Sequence, residues 1–397
     1  MTADAEAAAI AQLSAPQGRE ALALACEQSD PGSLAAAQAM RARFPAKLAA
    51  TALTQAELRR RSVLKFGPAA AQMFFTRAGL EQATRPLVAA HHAARFAAAG
   101  IRRVVDLGCG IGSDALAFLA ADLSVVAVEI DPATAEVARL NLGDRAPVLQ
   151  GDAELLVDEL LGDGDGAFCD PARRTNAGRV WRVEDFRPSW QLVTRLLAGD
   201  RVVGVKLGPA LPATLVPATA EAEWVSVGGD TVEVVLWAGP GSRPAVRVAS
   251  VLPDARLVVE TTAPQPELGT APVGRYLYEP DGAVIRAGGV SAVGQSLDGW
   301  LLDPKIAYLS SDRSVRTPFA TIFEVLDVLP YQEKAIRQGL RTRRIGSVEI
   351  KKRGIDVDPA RFRARLQLRG PNSCTLILSR TAHGAIALIA RRLPPSE

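Results

Sequence analysis

Apolar runs and amphipathic stretches alternate through the middle of the chain. RRVVDLG (102–108) is followed by SDALAFLAA, SVVAVEI by PATAEVARLNL, and APVLQGD by AELLVDELL. GAFCDP then leads into a long loop, a helical segment around 188–198, and RVVGVKLG. Short β-branched runs separated by helix-length segments predict a parallel sheet covered by helices on both faces. The rhythm closes at EAEWVSVGGDTVEVVLWAG (221–239), two strand-like runs about a Gly-Gly turn that predict an antiparallel edge hairpin. Upstream, residues 1–65 are rich in Ala, Leu, Gln and Glu, lack strand alternation and predict helices. Residues 76–99 predict a turn and then a helix with Pro86 in its first turn, closed by Gly100. Between 240 and 325 the chain turns to Pro, Gly and short strands, including VRVASVL and an expected hairpin, RYLYEPDGAVIRAG, on a Pro-Asp-Gly turn. From 326, a helix (VLPYQEKAIRQGLRTR), RRIGSVEIKKRG, a second helical piece (DPARFRARL) and CTLILSRTAHGAIALIARRL mix α and β. The expected division is 1–95, 96–240, 241–325 and 326–397.

The 397 residues suffice for two or three domains, and 48% hydrophobic with 22% charged residues is ordinary for a soluble globular protein. No apolar run reaches the ~18 residues of a membrane span. The start, MTADAEAAAIAQL, has acidic residues and no basic n-region, which argues against a secretory signal. Cys26, Cys109, Cys169 and Cys374 form no C-x-x-C pair, so neither a disulfide framework nor a metal site is expected, and a cytoplasmic protein is the simplest reading. Charge changes the picture further. Residues 325–397 hold 15 Lys and Arg against 6 Asp and Glu, a surplus of nine, so within the net +3 the rest of the chain sums to −6. A basic end on a mildly acidic body points to a polyanionic partner.

The chemistry gathers at the ends of the predicted strands. VVDLGCGIGSD places Gly108, Gly110 and Gly112 after a buried strand and before a helix, where backbone must turn sharply and approach a ligand closely. Asp106 precedes the first glycine and would repel a nucleotide phosphate but suit a cationic ligand. Seventeen residues after Gly112, Glu129 ends the second strand, where a carboxylate can accept both ribose hydroxyls of an adenosine. Asp152 ends the third, placed to bond an adenine amine.

These motifs, DLGCGIG, VEID, GDAEL and DPAR, resemble in order and spacing the class I S-adenosylmethionine-dependent methyltransferases over roughly residues 75–240. The resemblance implies an α/β, Rossmann-like fold whose seven-stranded sheet has an antiparallel last strand. It implies S-adenosylmethionine as cofactor, with the three glycines beneath it, Asp106 toward its methionine ammonium, Glu129 on its ribose and Asp152 at its adenine. The segment FFTRAGLEQATRPLVAAH matches a cofactor lid, making Phe75, Thr76, Glu81 and Thr84 contact candidates. The order of motifs looks closest to the trimethylguanosine-synthase-like and THUMP-linked branches. RRIGSVEIKKRG and GAIALIARRL resemble the THUMP-like α+β domain attached to some bacterial methyltransferases.

Asp170 then falls beside the transferable methyl group. It can accept a hydrogen bond from the attacking amine or hydroxyl, Pro171 fixes the turn, and Arg173 and Arg174 can hold substrate phosphates. Methyltransferases of exocyclic base amines carry Asp/Asn/Ser-Pro-Pro-aromatic. Here Ala172 and Arg173 replace the second proline and the aromatic, and Trp181, Phe186 or Trp190 would supply the stacking surface. Lys206 and Glu233, with Asp170 and Lys65, loosely resemble the Lys-Asp-Lys-Glu set of ribose 2′-O-methyltransferases. A nucleophilic cysteine is not expected at Cys169 or Cys374, and His91, His92 and His383 read as surface or structural. Lys351, Lys352 and Arg353, with Arg341, Arg343 and Arg344, are expected to track RNA phosphates. The expected activity is methylation of RNA at a base nitrogen. The alternatives are ribose 2′-O, small-molecule or protein methylation, and a silent cofactor- and RNA-binding protein.

Overall fold

The computed structural model describes residues 2–173 and 183–394. Arg174 and Trp181 lie outside the described residues, and of Arg173 only the backbone is described. The chain divides into two compact units, Met1–Ala222 with Glu233–Pro244, and Glu223–Val232 with Ala245–Glu397.

The first unit opens with four helices, Ala3–Ala11, Pro16–Glu27, Leu34–Arg41 and Ala46–Phe66. The Thr2 and Ser33 hydroxyls cap the first and third by accepting the Ala5 and Ala36 N–H groups. Gly67, at φ +57°, ends the fourth. Buried alanines such as Ala21, Ala25, Ala49 and Ala52 let these helices pack closely around Leu13, Met40 and Phe44. The expected helix follows as Pro86–Ala98, but where a turn was expected a short helix forms, Arg77–Gln82, because the Thr76 hydroxyl accepts the Gly79 N–H and caps it.

The predicted sheet comes next: β1 Arg103–Leu107, β2 Ser124–Glu129, β3 Val148–Gln150, β4 Gly166–Cys169, β5 Val203–Leu207, β6 Glu221–Val227 and β7 Asp230–Ala238. Within the first unit the order is β3-β2-β1-β4-β5-β7. All neighbouring pairs are parallel except β5 with β7, the antiparallel last strand. Gly228 and Gly229, both at positive φ, make the turn between β6 and β7. The central strands β1, β4 and β5 are largely buried, as helices Ser113–Ala120, Pro132–Leu142, Ala153–Leu160 and Trp190–Leu197 alternate with the strands. The edge strand β3 stays largely exposed. Phe96, Phe118, Phe168 and Trp237 meet edge-on in the core at centroid distances of 5.4–6.4 Å.

The second unit contains β8 Val246–Leu252 and β9 Ala255–Glu260 as an antiparallel pair. It also holds a seven-stranded sheet of β10 Tyr276–Pro280, β11 Trp300–Asp303, β12 Ile306–Ser311, β13 Ala320–Pro330, β14 Ile345–Arg353, β15 Asn372–Thr381 and β16 Gly384–Arg392. The order is β11-β12-β10-β13-β16-β15-β14, with β14 and β15 parallel. Helices Glu333–Thr342 and Pro359–Leu366 seat Ile336, Leu340, Phe362 and Leu366 against one face of this sheet. The expected Pro-Asp-Gly hairpin does not form. Asp281 accepts the Ala283 N–H at 2.8 Å and caps a helix, Gly282–Ala287, which Gly288 closes at φ +82°. A carboxylate one residue before a helical run competes with the turn reading of the same residues, and here the cap wins.

Two side-chain amides fix the approach to the sheet. Asn141 accepts the Phe74 N–H at 2.8 Å and donates to the carbonyls of Phe74 and Ile111 at 3.0 and 2.9 Å. Gln55 donates to the Phe75 carbonyl at 2.6 Å and accepts its N–H at 3.0 Å. The segment 74–75 is thereby held from both sides. Asn141→Leu leaves three backbone groups without these partners and should lower stability by about 2 kcal/mol, read as a lower urea midpoint; an unchanged midpoint would show that the amide contributes nothing.

Candidate active site

The carboxyl ends of the parallel strands open into a cleft of about 1070 Å³ in the first unit. That is ample for an adenosine-sized ligand together with an acceptor. Gly108, Gly110, Glu129, Asp152, Asp170 and Lys206 line it, with Phe75, Thr76 and Thr84 from the expected lid. Glycines 108, 110 and 112 have φ of +89°, +56° and +82°, conformations that side chains resist. At Gly108 the space is also short, since a Cβ would lie 3.3 Å from the Asp170 carbonyl oxygen, so the glycine loop and the DPAR turn touch through backbone.

Glu129 holds this loop. Its Oε2 accepts the Gly110 N–H at 3.0 Å and its Oε1 the Asp131 N–H at 2.9 Å, and the carboxylate lines the cleft. Asp152 caps the helix Ala153–Leu160 through the Glu154 N–H at 2.9 Å. Asp106 lies behind the cleft wall, 1% exposed, and neither carboxylate oxygen has a hydrogen-bond partner. Burial first, then the charges of Asp114, Asp170 and Glu129, push its carboxyl well above the usual range.

Beneath the cleft runs a continuous hydrogen-bonded chain that the sequence did not disclose. His92, fully buried, places Nδ1 2.8 Å from Asp114 Oδ1 and Nε2 2.5 Å from Glu233 Oε1. Both ring nitrogens face carboxylates, so both carry protons. Burial alone would depress its pKa, but the Glu233 charge and the bonds to Asp114 and Glu233 raise it to about 10. The Thr84 hydroxyl donates to Asp114 Oδ2 at 2.5 Å and accepts from Lys206 Nζ at 3.0 Å. Lys206 Nζ also donates to Asp170 Oδ2. Against the cost of burial, Asp170, Asp114 and Glu233 raise the Lys206 pKa and keep it an ammonium. Burial raises that of Asp170, a rise that Lys206 moderates. His92 is thus a buried, structural histidine, as one arm of the surface-or-structural expectation has it, and it reaches the cleft only through Asp114, Thr84 and Lys206.

Other expected groups fall elsewhere. Lys65 donates to the carbonyls of Leu80 and Glu81 at 2.8 and 3.2 Å, and Glu233 bonds His92 rather than Lys206, so the Lys-Asp-Lys-Glu set is not assembled by hydrogen bonds. Burial raises the thiols of Cys109 and Cys169 well above the ordinary value and that of Cys374 to about 11, which suits none of them to nucleophilic attack at neutral pH. Sequence reasoning also missed the cleft's outer wall. Lys47, Thr51, Thr54 and Leu58 line it from one face of the helix Ala46–Phe66, at a four-, three-, four-residue spacing that marks a helix face in the sequence. In the second unit, Lys351 and Arg353 approach Glu279 at 2.5 and 3.7 Å, while Lys352 is exposed.

Residues 320–392 match the THUMP domain-like family model, and residues 6–62 a domain of unknown function. An uncharacterised S-adenosylmethionine-dependent methyltransferase of Mycobacterium tuberculosis, strain H37Rv, is 35% identical over 345 residues, 83% of this chain and 92% of the relative. The ribosomal RNA small subunit methyltransferase A of Nocardia farcinica is 46% identical over 67 residues, 16% of this chain and 23% of that protein. In fold, the chain is similar to a crystal structure from Porphyromonas gingivalis W83 assigned as a methyltransferase, with a TM-score of 0.76 and 23% identity over 95% of this chain and 99% of that one.

The buried imidazolium carries a pH signature. His92 binds its proton more tightly folded than unfolded, so its stabilisation is fully present below the ordinary value of 6.5 and is lost as pH rises through about 10. Across urea denaturations from pH 6 to 10, the stability advantage of the native protein over His92→Gln should shrink, by up to about 1.4 kcal/mol per pH unit. A constant advantage would show that the ring is neutral.

Proposed function

The chain belongs to the S-adenosylmethionine-dependent methyltransferases, and we propose that its acceptor is RNA, methylated at a base nitrogen. The cofactor supplies an electrophilic methyl group on a sulfonium. The residues fit such a cation. Asp106 offers two buried oxygens with no partner, a state that favours an arriving ammonium. The Glu129 carboxylate lines the cleft and accepts hydrogen bonds only, as ribose hydroxyls require, and the glycine loop admits close backbone approach. Asp170, held by Lys206, is the acceptor that orients the nucleophile, and Pro171 sets its turn.

One observation carries the RNA reading: the outer face of the helix layer in the second unit. Helices Glu333–Thr342 and Pro359–Leu366 bury their apolar sides and expose Lys334, Arg341, Arg361, Arg363 and Arg365, with Arg344 and Arg369 in the adjoining turns. Glu333 on this face bonds Arg337 and Arg365, and the exposed Asp356 and Asp358 stand at the start of the second helix, so cations outnumber acids here. Cations of one sign spread over a rigid face suit a phosphate backbone, and their position within the THUMP domain-like match supports the same partner. The nucleic-acid surface is accordingly assigned to these helices and Lys352 in preference to Lys351 and Arg353. The partial likeness to a ribosomal RNA methyltransferase is consistent with it.

Purified protein with tritiated S-adenosylmethionine and total RNA from cells lacking the gene should give acid-precipitable label that RNase removes. Label that resists RNase and yields to protease would make a protein the acceptor. The double variant Arg361→Glu/Arg363→Glu should leave cofactor affinity intact, weaken RNA binding and flatten its salt dependence by about two in log–log slope; an unchanged slope would place the RNA elsewhere.

Asp106→Asn tests the cofactor assignment with two opposite signs. A carboxyl whose pKa rises on folding costs stability above its ordinary value, so the variant should melt higher without cofactor. It should also bind S-adenosylmethionine at least about tenfold more weakly in calorimetry, the loss of one charged hydrogen bond. Unchanged affinity would remove Asp106 from the site.

A further inference from the structure

The pairing of Asp170 with Lys206 restricts which base nitrogen can be the acceptor. Taking RNA as the substrate class, on which this inference rests, we propose that the enzyme methylates a lactam ring nitrogen. That is the N–H beside a carbonyl, as in guanine N1 or uracil N3, rather than an exocyclic amine or a ribose hydroxyl. Asp170 lines the cleft about one-third exposed. Its Oδ2 is engaged by Lys206, and its Oδ1 has no partner among the described residues. Lys206 also lines the cleft, and its ammonium has three protons, two of them given to Asp170 and Thr84. The pair thus presents a carboxylate acceptor and one remaining ammonium donor side by side. The –NH–C(=O)– edge of a lactam is complementary to both.

Charge development decides between acceptors. Asp170 takes the ring N–H proton, and the freed lone pair on nitrogen forms the N–C bond to the methyl carbon. The C–S bond breaks with its electrons left on sulfur, giving the N-methylated base, S-adenosylhomocysteine and a protonated Asp170. The negative charge that moves onto the ring carbonyl oxygen as the proton leaves meets the Lys206 ammonium in a largely buried setting, where such stabilisation is strong. A neutral exocyclic amine would instead gain positive charge beside that ammonium. A ribose hydroxyl, far less acidic than a lactam N–H, would need a stronger base, and Lys206 is held protonated by the carboxylates around it.

The charged groups facing the pair are Asp106 from β1, Asp114 from Ser113–Ala120, His92 from Pro86–Ala98, Glu233 from β7, Lys65 from Ala46–Phe66 and Arg187 at the cleft wall. None can replace Asp170 as the acceptor of the lactam proton. In Asp170→Asn that proton must be lost to solvent, and the residual rate should climb about tenfold per pH unit between pH 7 and 9 as the lactam ionises.

The test is mass spectrometry of nucleosides from RNA methylated by the full-length protein, paired with the pH profile of Asp170→Asn. The expected product is 1-methylguanosine or 3-methyluridine, with the rising profile in the variant. A methyl on an exocyclic amine, a carbon or a ribose, or a variant profile as flat as that of the native protein, overturns the inference while leaving RNA as acceptor. Absence of methylated RNA overturns the RNA reading and this inference together. As a readout independent of turnover, calorimetry in the presence of S-adenosylhomocysteine should show GMP or UMP binding at least fivefold more tightly than AMP and CMP, a preference lost in Lys206→Gln; equal binding of the four counts against it.

Discussion

A buried histidine between two carboxylates is the constraint on which this site depends. His92, Asp114, Glu233, Thr84, Lys206 and Asp170 form one unbroken hydrogen-bonded chain, and they come from helices, strands and the loops at strand ends. No member can be buried alone, since an unpaired charge in that setting costs several kcal/mol. The charged members alternate in sign, with the neutral Thr84 hydroxyl between Asp114 and Lys206, and the alternation fixes each partner. The imidazolium neutralises the acids below, so that the Lys206 ammonium remains available to Asp170 at the cleft. A network of this kind is costly to assemble and strongly specifying once complete. It holds two titratable groups at the chemical end of the cleft in opposite charge states.

Carboxylates without a cationic partner mark the opposite side, where we propose that the cofactor binds. Asp106 is buried without a partner, and Glu129 accepts from backbone N–H groups rather than from any cation. A protein tolerates such an arrangement where a cationic ligand completes it, and a sulfonium bearing an ammonium is one. The two amides that hold residues 74–75 extend the same logic to the lid. Gln55 and Asn141 commit both ends of their amides to backbone, and the rim of the cleft is set before any ligand arrives.

Much of this was legible in the sequence because its signals are local. The glycines and Glu129 sit at the ends of β-branched runs, Asp152 and Asp170 just after short strands, and topology alone brings strand ends together. The chain beneath the cleft was not legible. His92 and Glu233 are 141 residues apart, and Asn141 meets Phe74 across 67. A histidine on an alanine-rich helix, beside a second one at His91, carries no sign of a partner so distant. The basic surface was legible as a charge surplus, but not which cations pair with acids: the KKR run on β14 alternates across the strand, and two of its three cations turn toward Glu279. The Pro-Asp-Gly segment failed for a different reason, since an aspartate serves a turn and a helix cap equally well.

Whether a charged histidine anchors the site is open to one direct measurement. The chain has three histidines, so side-chain ¹⁵N spectra of the histidine-labelled protein at pH 8 resolve few signals. The expected result is one ring with both nitrogens protonated and in slow exchange with solvent, a signal absent from His92→Gln. Three neutral rings at that pH, each with one bare nitrogen, would contradict it.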